Sequence, residues 1–139
     1  MAPLIWTGSE MIAWGGAAGA DAYGDGFAYD PSSDAWRELS ATLAPLRRNG
    51  HTSVWTGALM MIWGGYCVDE GEGQRSGSEC NNGARYDPAL DQWTVMAPSK
   101  YAPLQSDHHA VWAGSEMITL GGCAGDPGIC DVWSGIYTP

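Results

Sequence analysis

One phrase is written three times in this chain: an aromatic residue, a turn, an apolar run and a pair of glycines. The copies run from Trp6 to Gly16, from Trp55 to Gly65 and from Trp112 to Gly122. Self-similarity at a period of roughly 50 residues means that one supersecondary unit recurs. Such a unit buries its faces only against its neighbours.

A second phrase follows each glycine pair. It reads Phe27-Ala28-Tyr29-Asp30-Pro31 and closes on Trp36; it returns as Ala84-Arg85-Tyr86-Asp87-Pro88 and closes on Trp93. The third copy opens it at Ile136-Tyr137-Thr138-Pro139. Every segment is short, rich in aromatic and β-branched residues, and bounded by Gly, Pro or Asp turn chemistry. No stretch carries a sustained helical period. In the second copy, four strands are expected near His51–Trp55, Leu59–Trp63, Gly83–Tyr86 and Gln92–Met96, here called a to d. Strand b is apolar at every position, which suits a sheet packed between two other sheets.

The double glycine, the Tyr-Asp-Pro and the Trp seven positions after the Tyr together resemble the kelch repeat, over nearly the whole chain. The resemblance implies an all-β, kelch-type β-propeller segment of about three four-stranded blades, forming a single domain over 1–139. The repeats run approximately 1–43, 44–100 and 101–139, the last incomplete. Kelch rings use six or seven blades. An open arc of three leaves two apolar flanks in water, so the chain is expected to close a six-bladed ring as a homodimer.

Only the connection between strands b and c varies in length. Twelve, 20 and 14 residues separate the second glycine from the Tyr in the three copies. In a repeat array such variation collects on one face, often the binding face. In an up-and-down blade the d–a connections reach the same rim and bring Arg47, Arg48, Lys100 and Asp107 with them. The expected ligand-binding residues are therefore Arg47, Arg48, His51, Asp107 and His108. His51 and His108 occupy equivalent positions four residues before Trp55 and Trp112. They read either as channel-facing ligands or as residues that tie down the backbone at the start of strand a. Trp6, Trp55 and Trp112 read either as sugar-stacking platforms or as packing between blades.

The chain carries 16 acidic and 6 basic residues, a formal charge of −10, which argues against nucleic-acid binding. Half of the acids (Asp21, Asp25, Asp69, Glu70, Glu72, Glu79, Asp126 and Asp131) fall in the b–c connections, beside the single base Arg75. They read as a solubilising rim or as a dock for a cation or basic partner. The cysteines fall as two local pairs within these connections, Cys67 with Cys80 and Cys123 with Cys130. Disulfides within each pair, free thiols and a metal site are the open readings; the first implies an oxidising compartment. No leader is legible at Met1–Trp6, so an extracytoplasmic protein here implies a mature form. No segment reads as membrane-inserting.

No catalytic motif, cofactor site or metal motif is legible. There is no Gly-x-Ser-x-Gly elbow and no His-Glu-x-x-His. Asp21–Gly26 is a weak match to the start of a calcium loop, with Ser32 where a bidentate Glu belongs. The expected function is a non-catalytic binding module for a protein or glycan, acting through the b–c connections. The alternatives are a carbohydrate-active enzyme of the kelch-type sugar mutarotase kind and a truncated half-propeller without a ligand.

Overall fold

The computed structural model describes residues 2–19, 21–69, 76–98, 106–123, 130 and 134–138. All the regular structure among them is β. The first blade is an antiparallel sheet of β1 (Leu4–Trp6), β2 (Met11–Trp14), β5 (Gly26–Asp30) and β6 (Ala35–Glu38), in that order. The second blade is β8 (Thr52–Trp55), β9 (Met60–Trp63), β12 (Gly83–Asp87) and β13 (Gln92–Met96). The third comprises β14 (His109–Trp112), β15 (Met117–Leu120) and β16 (Ser134–Tyr137). The first two sheets supply strands a, b, c and d of a propeller blade, and the third supplies a, b and c among the described residues. The innermost strands β1, β8 and β14 lie side by side.

Turn chemistry fixes the register. In the a–b turns, the Thr7 and Thr56 hydroxyls accept the backbone N–H of Glu10 and Leu59, each at 2.9 Å. In the c–d turns, the Asp30 and Asp87 carboxylates accept the N–H of Ser32 and Ala89 at 2.8 and 2.9 Å. Each turn then needs a residue at positive φ, supplied by Asp34 and Asp91, both at +52°. Asp tolerates that conformation better than most side chains. Here Tyr29 and Tyr86 also donate their hydroxyls to those same carboxylates, at 2.9 and 2.6 Å. The Tyr-Asp-Pro phrase is thus a turn whose Tyr reaches forward to hold the strained Asp.

The core lies between blades. Ile5, Ile12, Trp14, Ala28 and Leu39 of the first blade pack with Met60, Ile62, Ala84, Tyr86 and Trp93 of the second. Val54, Met61, Trp63 and Met96 of the second meet Met117 of the third, with Ala110, Trp112 and Tyr137 packed against them. All four residues of β9 are fully buried, because alternate side chains face opposite neighbours.

Two sequence expectations change. The b–c connections are partly β-structured. The first forms a ribbon of β3 (Ala17–Ala18) and β4 (Asp21–Ala22). The second forms a hairpin of β10 (Tyr66–Asp69) and β11 (Ser76–Glu79), to which β7 (Arg48–Asn49) of the d–a connection adds a third strand. The glycine pairs, expected to end strand b beneath the Tyr or Trp of their own blade, differ as well: the second glycine of Gly64-Gly65 and of Gly121-Gly122 lies against the d–a connection. At Gly65 (φ +87°) a Cβ would stand 2.5 Å from the Asn49 carbonyl and 2.8 Å from His51. At Gly122 (φ +101°) it would meet the Ser106 carbonyl at 2.7 Å and His108 at 2.8 Å. The glycines are required because the d–a connection crosses directly over them.

Candidate functional site

The rim that carries the b–c connections is held together by backbone bonds to the d–a connection. The Gly16 N–H donates to Arg48 O at 2.9 Å, the Arg48 N–H to Tyr23 O at 3.2 Å, and the Val68 N–H to Arg47 O at 2.9 Å. The segment at Arg47–Arg48 is therefore laced to the b–c connections of both the first and the second blade.

Arg48 is 1% exposed. Its guanidinium donates to the carbonyls of Leu46, Gly64 and Asn82 and to the Asn82 side-chain oxygen, all within 3.0 Å. Burial lowers its pKa to about 10, so it remains cationic at neutral pH. Its donors thus tie the d–a connection at Leu46, the end of strand b at Gly64 and the entry to strand c at Asn82 to one another, which fastens the rim. Arg47 is half-buried on the same short segment.

The equivalent histidines are buried and staple each blade to the one before it. His51 Nε2 lies 3.1 Å from the Trp14 carbonyl and must donate to it, which fixes the neutral tautomer; the imidazole also meets the Trp14 ring edge-on at 5.8 Å. Burial, and then the neighbouring Arg48 charge, pushes the His51 pKa down to about 3. Its Nδ1 has no hydrogen-bond partner among the described residues. His108 also reaches the preceding blade, but through a different partner: its Nε2 lies 3.0 Å from the Thr52 hydroxyl on strand a.

Between the innermost strands lies an open cleft of about 480 Å³, lined by Asn49, Gly50, His51, Asp107, His108 and His109 with residues of the first blade. The structure thus brings His51, Asp107 and His108 together, whereas Arg47 and Arg48 lie outside the lining. Asp107 is exposed and adopts φ +55°; its N–H donates to Gly50 O at 2.7 Å, tying the second d–a connection to the first. No cluster of three or more His, Cys, Asp or Glu capable of holding a metal occurs among the described residues.

Both cysteine pairs are disulfide-bonded, Cys67 to Cys80 and Cys123 to Cys130. The first closes the β10–β11 ribbon onto itself. Of the rim acids, Asp21, Asp25, Asp69 and Glu79 belong to the described part; Glu70, Glu72, Asp126 and Asp131 lie outside it, as do Arg75 and Lys100. No helix among the described residues is long and apolar enough to cross a membrane.

Sequence reasoning missed a second polar constellation, at the outer edge of the first blade junction. Arg37 donates to Glu10 at 2.8 Å within its own blade and to the Tyr86 hydroxyl at 2.8 Å across the junction. The Tyr86 hydroxyl donates in turn to Asp91, which also accepts the Ser40 N–H at 3.0 Å; the Trp93 indole donates to Ser40 O at 2.8 Å. The Glu10 carboxylate raises the Arg37 pKa, and burial raises that of Tyr86 to about 12. The recurring Tyr-Asp-Pro was its only sequence signal, because Arg37 has Thr94 as its repeat equivalent.

No curated protein matches the chain. The family model that does match is the KLHDC2/KLHL20/DRC7 Kelch-repeats domain, over residues 2–134. With three successive sheets of propeller-blade topology behind that match, the chain belongs to the kelch-repeat family.

Proposed function

We propose that this protein is a propeller-type protein-interaction module that presents its partner with the rim built from the b–c connections. The observation that carries this reading is the division of labour between the two rims. The a–b and c–d turns are short and chemically repetitive. The b–c connections differ in length, bear β ribbons and disulfides, and concentrate acidic residues. Variable surface mounted on a rigid repeat frame is how repeat proteins acquire specificity. The acid excess favours a basic partner surface. The disulfides favour an oxidising, extracytoplasmic setting.

The test exchanges the Tyr66–Glu79 ribbon for the shorter Ala17–Asp25 connection and probes arrays of basic proteins and of glycans. Binding by the parent chain that disappears on exchange, yet survives alanine at Ser32 and Ser33 on the opposite rim, is the expected result. Binding that survives the exchange refutes the reading. A small ligand is a second reading, favoured by the cleft beside His51, Asp107 and His108, whose volume falls in the usual range for ligand pockets. Loss of a glycan hit on Asp107→Ala, with the ribbon exchange silent, would favour it.

The same proposal includes self-assembly: two chains forming a six-bladed ring about a two-fold axis, with the interaction rims of both on one side. Electron micrographs should show closed particles around a central channel. Open arcs or chain-like polymers would contradict closure.

A further inference from the structure

We infer that the outward face of the third blade is shaped to receive the outward face of the first blade of a second copy. The pairing is head to tail, with Leu120 seated against Phe27 and Trp36. This rests on the ring reading above and specifies the junction that closes it.

The two interior junctions show how a blade docks. Strand pairing establishes which positions are equivalent. On the face turned to the next blade, Ile5, Ile12 and Trp14 correspond to Val54, Met61 and Trp63, and to Val111, Ile118 and Leu120. The first two sets are buried in the junctions. The third is exposed, Leu120 at 53%, and Ile136 beside it is exposed as well. On the face turned to the preceding blade, Trp55, Ala84, Tyr86 and Trp93 correspond to Trp6, Phe27, Tyr29 and Trp36. Ala84, Tyr86 and Trp93 are buried, and Trp55 packs against their cluster. Trp6, Phe27 and Trp36 are exposed. The outward face of the first blade is already arranged as an acceptor. Tyr29 and Trp36 stand 4.9 Å apart, the same separation as the buried pair Tyr86 and Trp93.

Side-chain sizes identify the occupant. Within the chain the docking residue is a tryptophan and the strand-c residue opposite it is small. Trp14 docks edge-on to Trp93 at 5.7 Å in the cluster that holds Ala84. Trp63 docks against Tyr137 at 4.9 Å, where the equivalent of Ala84 is Gly135. At the open ends both sizes are reversed: the docking residue is Leu120 and the position opposite is Phe27. A tryptophan-bearing blade would overfill the first blade's face, and an alanine-bearing face would leave a void under Leu120. Each open face fits the other better than it fits either interior face.

The area is adequate. Trp6, Phe27 and Trp36, about half exposed, offer roughly 300 Å² at the usual 150–250 Å² per aromatic. A two-fold ring has two such junctions, each with two sides. Closure therefore removes on the order of 1,200 Å², at the low edge of stable interfaces.

The experiment measures dimer dissociation of the full chain for four proteins: the parent, Phe27→Ala, Leu120→Trp and the double variant. Circular dichroism confirms that each is folded, as expected for substitutions at exposed positions. Each single change should weaken dimerisation at least tenfold. The double variant restores the interior pattern of tryptophan against alanine and should return to within a few-fold of the parent. A parent that is dimeric, with a double variant no tighter than the weaker single one, overturns the pairing and leaves the ring intact. A parent that is monomeric at all concentrations overturns both.

Discussion

The second blade and the third are built from the same phrase in the same register, yet strand b has a different fate in each. Met60, Met61, Ile62 and Trp63 are all buried; in the third blade Met117 and Thr119 are buried while Ile118 and Leu120 face outward. Strand pairing cannot account for the difference, since β9 and β15 pair alike with their neighbours. What differs is the presence of a sheet on the second side. A blade becomes core only when both neighbours are present, and this is the physical meaning of a repeat that cannot stand alone.

The contrast is sharpest between Trp63 and its equivalent Leu120. Trp63→Ala should cost about 3–5 kcal/mol in chemical denaturation, the usual range for a large aromatic removed from a packed interior. Leu120→Ala should leave the unfolding free energy of the separated chain within about 1 kcal/mol of the parent and act on association instead. Equal costs at the two positions would erase the distinction between inner and outer blades.

The next prediction concerns the histidine staple. The folded pKa of His51 lies below that of an unfolded histidine, so the unfolded state binds more protons between about 6.5 and about 3. The associated stability is fully present above pH 6.5 and is lost as pH falls toward 3, amounting to several kcal/mol. Thermal melts across that window should show a steep slope that flattens in His51→Gln. A slope unchanged by the substitution would mean that other groups carry it.

Arg48 is buried beneath the rim, with its guanidinium turned inward onto carbonyls. Arg48→Ala removes the donors to the buried Gly64 carbonyl and to Asn82 and should cost about 3 kcal/mol, at the upper end for charge-assisted hydrogen bonds. Arg47→Ala, at a half-buried position, should cost less than about 1 kcal/mol. Reversed magnitudes in urea titrations would remove Arg48 from its structural role. An effect smaller than that of Arg48→Ala is expected at the outer edge of the first junction. There Arg37→Ala should cost about 1–2 kcal/mol, because that network is partly exposed to solvent. The double-mutant cycle with Tyr86→Phe would detect the coupling across blades.

Much of the fold was legible because its signals are local. The c–d turn needs Asp, Pro and a second Asp at fixed offsets, and the strand-b glycines need positive φ; both leave fixed letters. Strands c and d of the second blade were expected at Gly83–Tyr86 and Gln92–Met96 and occur at Gly83–Asp87 and Gln92–Met96. The β ribbons of the b–c connections were missed: the first has only two-residue strands, and the second is completed by Arg48–Asn49 from another connection, which no local pattern marks. The candidate site was less legible for the same reason. Arg47 and Arg48 share a rim with His51 and Asp107, but only the fold shows that one guanidinium is turned inward onto carbonyls. The histidines do occupy equivalent positions, yet their hydrogen-bond partners lie on the preceding blade, where no spacing rule points.

The account turns on the outward faces of the first and third blades being halves of one junction. Sedimentation equilibrium over a wide concentration range tests this most directly. The expected mass is twice the 14.7 kDa of the chain, with dissociation only on dilution. A homogeneous, well-folded 14.7 kDa species at every concentration would show that these apolar flanks need no partner, and would contradict the account.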